Sequence, residues 1–302
     1  MRPTLRTFAL MLLLFGIFGL IGWLLGGFFA NSWWTGALLF LLLAGAMNFI
    51  SYFWAHKIVL WSYRAKVVTE AEAPRLYQIV RRAAELSGLP MPKVALVPTR
   101  TPNAFATGRN PKTAVVAATD GILDTLSDRE LTAVMAHEMA HVKDRDILVM
   151  SVAATLAGAI AFMARIFWWN LLLGGSRNRD SNGGNALIAI VVLVTAPLAA
   201  MLVQLAIARS REYKADQVGA RNLGAPEALA DALLKLERAN ARRPIEFGNP
   251  ASASLFIVNP FRGSSFVTLF STHPPVEERV RRLRALAREM AGGARRSAGV
   301  PA

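Results

Sequence analysis

The chain has 302 residues and a formal charge of +14, from 34 Lys and Arg against 20 Asp and Glu, and it is 54% hydrophobic and only 18% charged. That length suits one or two domains, and a charged fraction below the roughly 25% of soluble domains excludes both intrinsic disorder and an ordinary cytosolic globule. With no cysteine present, disulfide frameworks, thiolate zinc sites and cysteine nucleophiles drop out together, so any metal must be held by His, Asp or Glu.

From the N-terminus, residues 8–30 and 33–55 are two runs of 23 residues without a charge, each longer than the roughly 20 needed for a helix to cross a bilayer. Both are expected as transmembrane helices. Arg2 and Arg6 flank the first, but its apolar run far exceeds the roughly 7–15 residues of a secretory signal, so a retained anchor is expected. After Glu70 and Glu72, Leu76, Ile79, Val80, Ala83, Ala84 and Leu86 recur with helical spacing until Gly88 and Pro90 stop them. Residues 93–97 and 113–119 read as strands, with the stretches around 101–108 and 110–111 as turns. Ser127-Asp-Arg-Glu130 is a capping box that opens the next helix.

That helix carries His137-Glu138-Met-Ala-His141. Positions four apart lie one turn above the other on a helix face, so both imidazoles can reach one ion, with Glu138 beside them. A shuffled chain of this composition shows the pattern about once in 500. A further apolar run covers 147–164 and continues past Arg165, and another covers 186–208; these are two more spans or a buried hairpin. Lys and Arg fall in 56–146 (13) and 209–302 (16), against two in the connector 174–185, which places both large polar regions on the cytoplasmic side. The net charge is accounted for by topology and attraction to anionic lipid, and without a recognition motif it does not imply nucleic-acid binding.

Beyond the fourth run, Arg211-Glu-Tyr-Lys-Ala-Asp216 is helical, a helix follows from Pro226 to about Arg238, residues 244–275 are expected as loops, and a last helix spans Pro275 to about Met290. Its Glu277/Arg281 and Glu278/Arg282 are i,i+4 pairs, and residues 291–302 are expected to be a disordered tail. A cysteine-free catalytic zinc site wants two histidines and a carboxylate. Glu212 is chosen as that carboxylate, with Asp216 one turn on as an acceptor for a ligand imidazole N–H. If Glu212 joins His137 and His141, residues 147–208 must cross the membrane twice or not at all, in agreement with the charge asymmetry.

Zinc in such a site acidifies a bound water and polarises the scissile carbonyl, while Glu138 moves the proton from water to leaving amine. His273 or Arg279, in Thr272-His-Pro-Pro-Val-Glu-Glu-Arg279, can supply a donor for the negative oxygen.

In these motifs the chain resembles the HtpX family of membrane-bound zinc metalloproteases, related to the CAAX prenyl proteases. The resemblance runs through Pro102 to Gly108, His137 to His141, Arg211 to Asp216 and Ser271 to Pro275, in that order. It implies His137, His141 and Glu212 as ligands of one Zn2+ per subunit, Glu138 as catalytic base, Asp216 behind the ligands, and His273 with Arg279 stabilising the transition state. It also implies that Asn103, Ala104, Phe105, Ala106 and Thr107 border the cleft and pair with substrate backbone. The role it implies is stress response and quality control of membrane proteins, in the bacterial cytoplasmic membrane, with a cytosolic active site.

The expectation is therefore an integral membrane α-helical protein of about four transmembrane helices carrying a helix-rich α+β zincin-like metalloprotease domain. Residues 1–55 and 147–208 are the membrane part, and 56–146 and 209–290 the catalytic part. Its partners are protein substrates and the lipid bilayer. A zinc transporter expects ionisable residues along its spans, where only Arg165 occurs. A scaffold with a dead site fits poorly with intact Glu138, Glu212 and His273, and a prenyl-protein protease needs a larger enclosure for a lipidated tail.

Overall fold

The computed structural model describes residues 12, 15–20, 22–23, 32–146, 208–242, 257 and 274–298, excluding the side chains at 47, 48, 51, 52, 55 and 293–298. Most of the first expected span, the expected spans at 147–164 and 186–207, nearly all of the expected loops at 244–275, and His273 lie outside the described residues. The chain divides into two compact units, one of residues 1–52 and 148–207, the other of residues 53–147 and 208–302.

In the first unit, helical residues 15–20 and 22–23 pack on helix α1 (Trp33–Ser62), whose residues from 53 on belong to the second unit, with Phe18 and Phe40 rings 6.3 Å apart and Trp23 and Trp33 rings 4.6 Å apart. Ser32 starts α1 by accepting the Thr35 N–H at its hydroxyl, as an N-cap does. Thirty residues make a helix about 45 Å long, and its large apolar side chains, from Trp34, Leu38 and Leu42 to Trp54, Ile58 and Trp61, are exposed. Among the described residues no helix is long and apolar enough to cross a membrane.

The second unit is built on a four-stranded sheet of β1 (Lys66–Val68), β2 (Lys93–Val97), β3 (Ala104–Thr107) and β4 (Val115–Thr119), in the order β1-β2-β4-β3. Only β2 and β4 are parallel, and α2 (Pro74–Ser87) precedes β2 and stops at Gly88, whose φ of 65° gives the left-handed cap that glycine adopts without strain. The two faces of the sheet separate by alternation. Val94, Ala104, Ala106, Val116 and Ala118 face the main core with α2, and Ala95, Val97, Phe105, Val115 and Ala117 form a second cluster with Tyr63 at the end of α1.

After the short α3 (Asp120–Thr125), the expected capping box is present, with Ser127 Oγ and the Glu130 carboxylate closing reciprocally on α4 (Asp128–Asp144). Lys235 Nζ, from α6 (Pro226–Arg242), also reaches Glu130 at 2.7 Å. The main core is filled by Leu131, Met135 and Met139 of α4, Leu229, Leu233 and Leu236 of α6, and Val280 and Leu283 of α7 (Val276–Ala298).

Two expectations change. The segment expected as a turn at 101–108 contains β3, because pairing with β4 outweighs the weak strand preference of Ala104 and Ala106. The tail expected to be disordered from 291 is helical to Ala298. Ala291, Ala294, Arg295 and Arg296 favour helix strongly enough to carry it past Gly292 and Gly293, at roughly 1 kcal/mol per glycine.

Helix α5, residues 208–223, lies against α4 at Gly219, where a Cβ would come within 2.7 Å of His137 N and 2.8 Å of His137 Cα. These neighbours are backbone and cannot swing aside. Gly219→Ala is expected to lower stability by about 1–3 kcal/mol, checked by denaturation of the detergent-purified chain, and unchanged stability would mean that the two helices can separate freely.

Candidate metal centre

Two helices supply the site, each through its own spacing. On α4, His137 and His141 are one turn apart, and on α5 Glu212, Asp216 and Gly219 form an i, i+4, i+7 stripe that faces them. The glycine allows the approach and the two carboxylates use it. Ligand atoms of His137, His141 and Glu212 all lie within 4.8 Å of one another. The two imidazole Nε2 atoms are 3.2 Å apart, His141 Nε2 is 3.3 Å from Glu212 Oε1, and His137 Nε2 is 3.6 Å from Glu212 Oε2.

Those separations test whether an ion fits. Zinc–ligand bonds of about 2.0–2.1 Å in a tetrahedron place neighbouring ligand atoms about 3.3–3.4 Å apart, close to all three spacings. Each Nδ1 meanwhile faces a carboxylate, His137 that of Asp216 at 3.0 Å and His141 that of Asp146 at 3.1 Å. With the proton on Nδ1 of each ring, both Nε2 atoms, 3.2 Å apart, present lone pairs to the same space, and a positive charge there would satisfy them. The donor set fits a metal ion.

Electrostatics agree. Burial opposes the charged form of His137, but the contacts with Asp216 and Glu212 outweigh it and raise its pKa above 6.5. His141 is raised in the same way, burial being outweighed by Glu212 and Glu138. Protons and a metal ion therefore compete for the same nitrogens.

Glu138 sits beside the pair with Oε2 accepting the Ala106 N–H of β3 at 2.9 Å. Burial pushes its carboxyl above 4.5, which makes it a stronger base than a solvated glutamate.

Asp216 is anchored from behind by Arg279, whose Nε and Nη2 donate to its two oxygens at 2.8 and 2.7 Å, while Nη1 donates to the Ile257 carbonyl at 2.7 Å. The contact between Asp216 and His137 Nδ1 is close but poorly aligned as a hydrogen bond, so its weight is electrostatic. Asn103 holds the same residue through Oδ1, which accepts the Ile257 N–H at 3.0 Å.

The structure thus brings together His137, Glu138, His141, Glu212, Asp216 and Arg279 from the sequence expectation. Arg279 is fully buried, with Nε, Nη1 and Nη2 all donating to Asp216 and Ile257. Residues 103–107 run beside Glu138 and are all buried. Asn103 N–H and C=O turn to Thr119, so by alternation the backbone groups of Ala104 and Ala106 point away from β4. Sequence reasoning missed Asp146 and the Ala106 N–H. Asp146 is five residues past His141, off the helical face, and only the left-handed turn at Arg145, φ 56°, returns it.

The pattern of peptidase family M48 matches residues 70–287. The chain belongs to peptidase family M48. As a member it is a metalloprotease, and its relatives narrow the group. It is 54% identical over 288 residues to a protein named Protease HtpX homolog from Thermococcus sibiricus, covering 95% of this chain and 97% of that one. It is 50% identical over 285 residues to the one from Pyrococcus furiosus (94% and 96% covered), and 52% over 280 residues to the one from Syntrophotalea carbinolica (93% and 97%). In fold it is similar to the crystal structure of S. mikatae Ste24p, with a TM-score of 0.51 at 20% identity over 93% of this chain, spanning 65% of that longer chain.

In this M48 peptidase the buried Asp216–Arg279 pair is a stability element with a defined pH signature. Burial opposes the charge of Asp216, but Arg279 and His137 outweigh it and hold the carboxyl down at about 2 against an ordinary 3.8. A depressed folded pKa contributes stability that is complete above about pH 4 and is lost as pH falls towards about 2. Asp216→Asn, which strands the buried guanidinium, is expected to cost about 3–5 kcal/mol at pH 7 and to flatten the acid limb between pH 4 and 2. Denaturation of the chelator-treated protein across that range checks both.

Proposed function

We propose that the chain is a zinc-dependent endopeptidase anchored in the cytoplasmic membrane, with its active site on the cytoplasmic side, that cuts misfolded or damaged membrane proteins. The observation that carries the catalytic part is the convergence of His137, His141 and Glu212 beside a buried Glu138. His137, His141 and Glu212 would hold one zinc ion, which supplies an acidified water and a polarised scissile carbonyl.

Every other task falls to the chain's own groups. Glu138, aimed by the Ala106 N–H, takes a proton from the attacking water and hands it to the leaving amine nitrogen, so no covalent intermediate is needed. Asp216 orients His137, and Arg279, with Nε and Nη2 on Asp216 and Nη1 on the Ile257 carbonyl and 3.5 Å from Glu212 Oε2, acts as a positioning residue rather than as a donor to substrate. The donor for the negative oxygen is left to His273. An extended substrate would add its backbone to the outward edge of β3 at Ala104 and Ala106; the burial of this edge means it must be uncovered for pairing. Such backbone recognition suits loose sequence preference.

The membrane assignment gives residues 1–55 and 147–208 to the bilayer and 56–146 and 209–290 to the catalytic domain. The apolar runs, the Lys and Arg asymmetry, the exposed apolar surface of α1 and the division into two units support it. The chain is accordingly expected to stay in the membrane pellet after alkaline extraction, and release into the supernatant would count against this part.

The catalytic reading is tested by cleavage of an unfolded protein by the detergent-purified chain with zinc present. Glu138→Gln is expected to retain stoichiometric zinc and lose about 10²–10⁴-fold in rate, whereas Glu212→Ala is expected to lose zinc as well. Full zinc occupancy in Glu212→Ala would remove Glu212 from the ligand set.

A further inference from the structure

The carboxylate behind His141 has no part in the mechanism so far. Helix α4 ends at Asp144, and Arg145 adopts φ 56° and ψ 34° with its N–H capping His141 O and Val142 O. Residues other than glycine rarely hold this conformation, so the surrounding contacts must impose it. The turn folds Asp146 back onto the helix it has just left, with Oδ2 3.1 Å from His141 Nδ1. Its other oxygen, Oδ1, takes the guanidinium of Arg211, the residue before Glu212, and both side chains are largely buried. One turn further along α5, Lys214 pairs with the more exposed Asp144.

These two pairs occupy a particular place in the chain. Asp144 and Asp146 lie at the end of α4, and Arg211 and Lys214 lie in the described part of α5, so the pairs join these two elements within the second unit. Only the inner pair has a ligand-set histidine as its third member.

We propose that Asp146, held by Arg211, is a positioning residue for His141, and that the pair is a clasp linking the contact between the end of α4 and α5 to metal binding. An Asp146 carboxylate accepting the Nδ1–H keeps the Nε2 lone pair on the side of His137 and Glu212 and strengthens it as a donor. Because Arg211 and Glu212 are adjacent, parting α5 from the end of α4 breaks the clasp and withdraws Glu212 in one movement. Linkage is reciprocal: an ion that binds the closed arrangement more tightly stabilises the clasp by the same factor. The proposal rests on the metal reading of the previous section.

The test measures zinc affinity of the full chain in detergent by competition with a chromophoric chelator, together with the visible spectrum of the cobalt-substituted protein. Asp146→Asn is expected to weaken zinc binding by about 10–100-fold and to change the cobalt spectrum, with Arg211→Gln giving a smaller loss in the same direction. The exchange Asp146→Arg with Arg211→Asp is expected to recover metal-free thermal stability but not zinc affinity, because no carboxylate then faces His141 Nδ1. Asp144→Asn, which removes the outer pair alone, should bind zinc as the wild type does. Wild-type zinc affinity in Asp146→Asn, or its recovery in the exchanged pair, overturns the proposal and leaves a bare structural tie. If the wild type binds no stoichiometric zinc, the metal reading itself fails and the proposal falls with it.

Discussion

Two imidazole nitrogens 3.2 Å apart, His137 and His141 Nε2, need a proton or a metal ion between them, and the surrounding structure is arranged around that requirement. Each ring is turned by a carboxylate at its far nitrogen, Asp216 for one and Asp146 for the other. Each carboxylate is held in turn by an arginine, Arg279 and Arg211. The raised proton affinity of both histidines has the same origin, since a proton answers the requirement in the metal-free protein and a metal ion answers it when bound.

This arrangement demands that α4 and α5 approach more closely than side chains normally permit. Gly219 provides the approach, with the backbone of His137 where its Cβ would be. Glu212 and Asp216 then reach the rings from the same stripe of α5. The two helices are separated in sequence by 147–207, so the chemistry depends on a contact made across a long excursion of the chain. A buried cation–carboxylate pair such as Asp216–Arg279 adds little net stability over an apolar packing of equal volume. Its evident use here is geometric, fixing the carboxylate that faces His137.

What could be read from sequence follows from periodicity. His137 and His141 are four apart, as are Glu212 and Asp216, so helical geometry alone places each pair on one face. The helix with Leu76, Ile79 and Val80, the strand at 93–97 and the Ser127–Glu130 box were equally legible, because local spacing and local caps decide them. β3 was not, because Ala104 and Ala106 have little strand preference and their conformation comes from β4. Asp146 was not, because an arginine in the left-handed region leaves no mark in sequence. Arg279 was legible as a site residue, but its engagement with Asp216 depends on a tertiary contact 63 positions away. The helix through Gly292 and Gly293 shows a related limit, since two glycines lower helix preference without forbidding it.

The central claim is that His137, His141 and Glu212 together hold one ion. X-ray absorption at the zinc edge of the purified, zinc-loaded chain tests it most directly. The account predicts a shell of two imidazole nitrogens with oxygen donors at about 2.0–2.2 Å, as a His, His, Glu site with one water requires. A shell of oxygen atoms alone, without the outer scattering of imidazole rings, would contradict it.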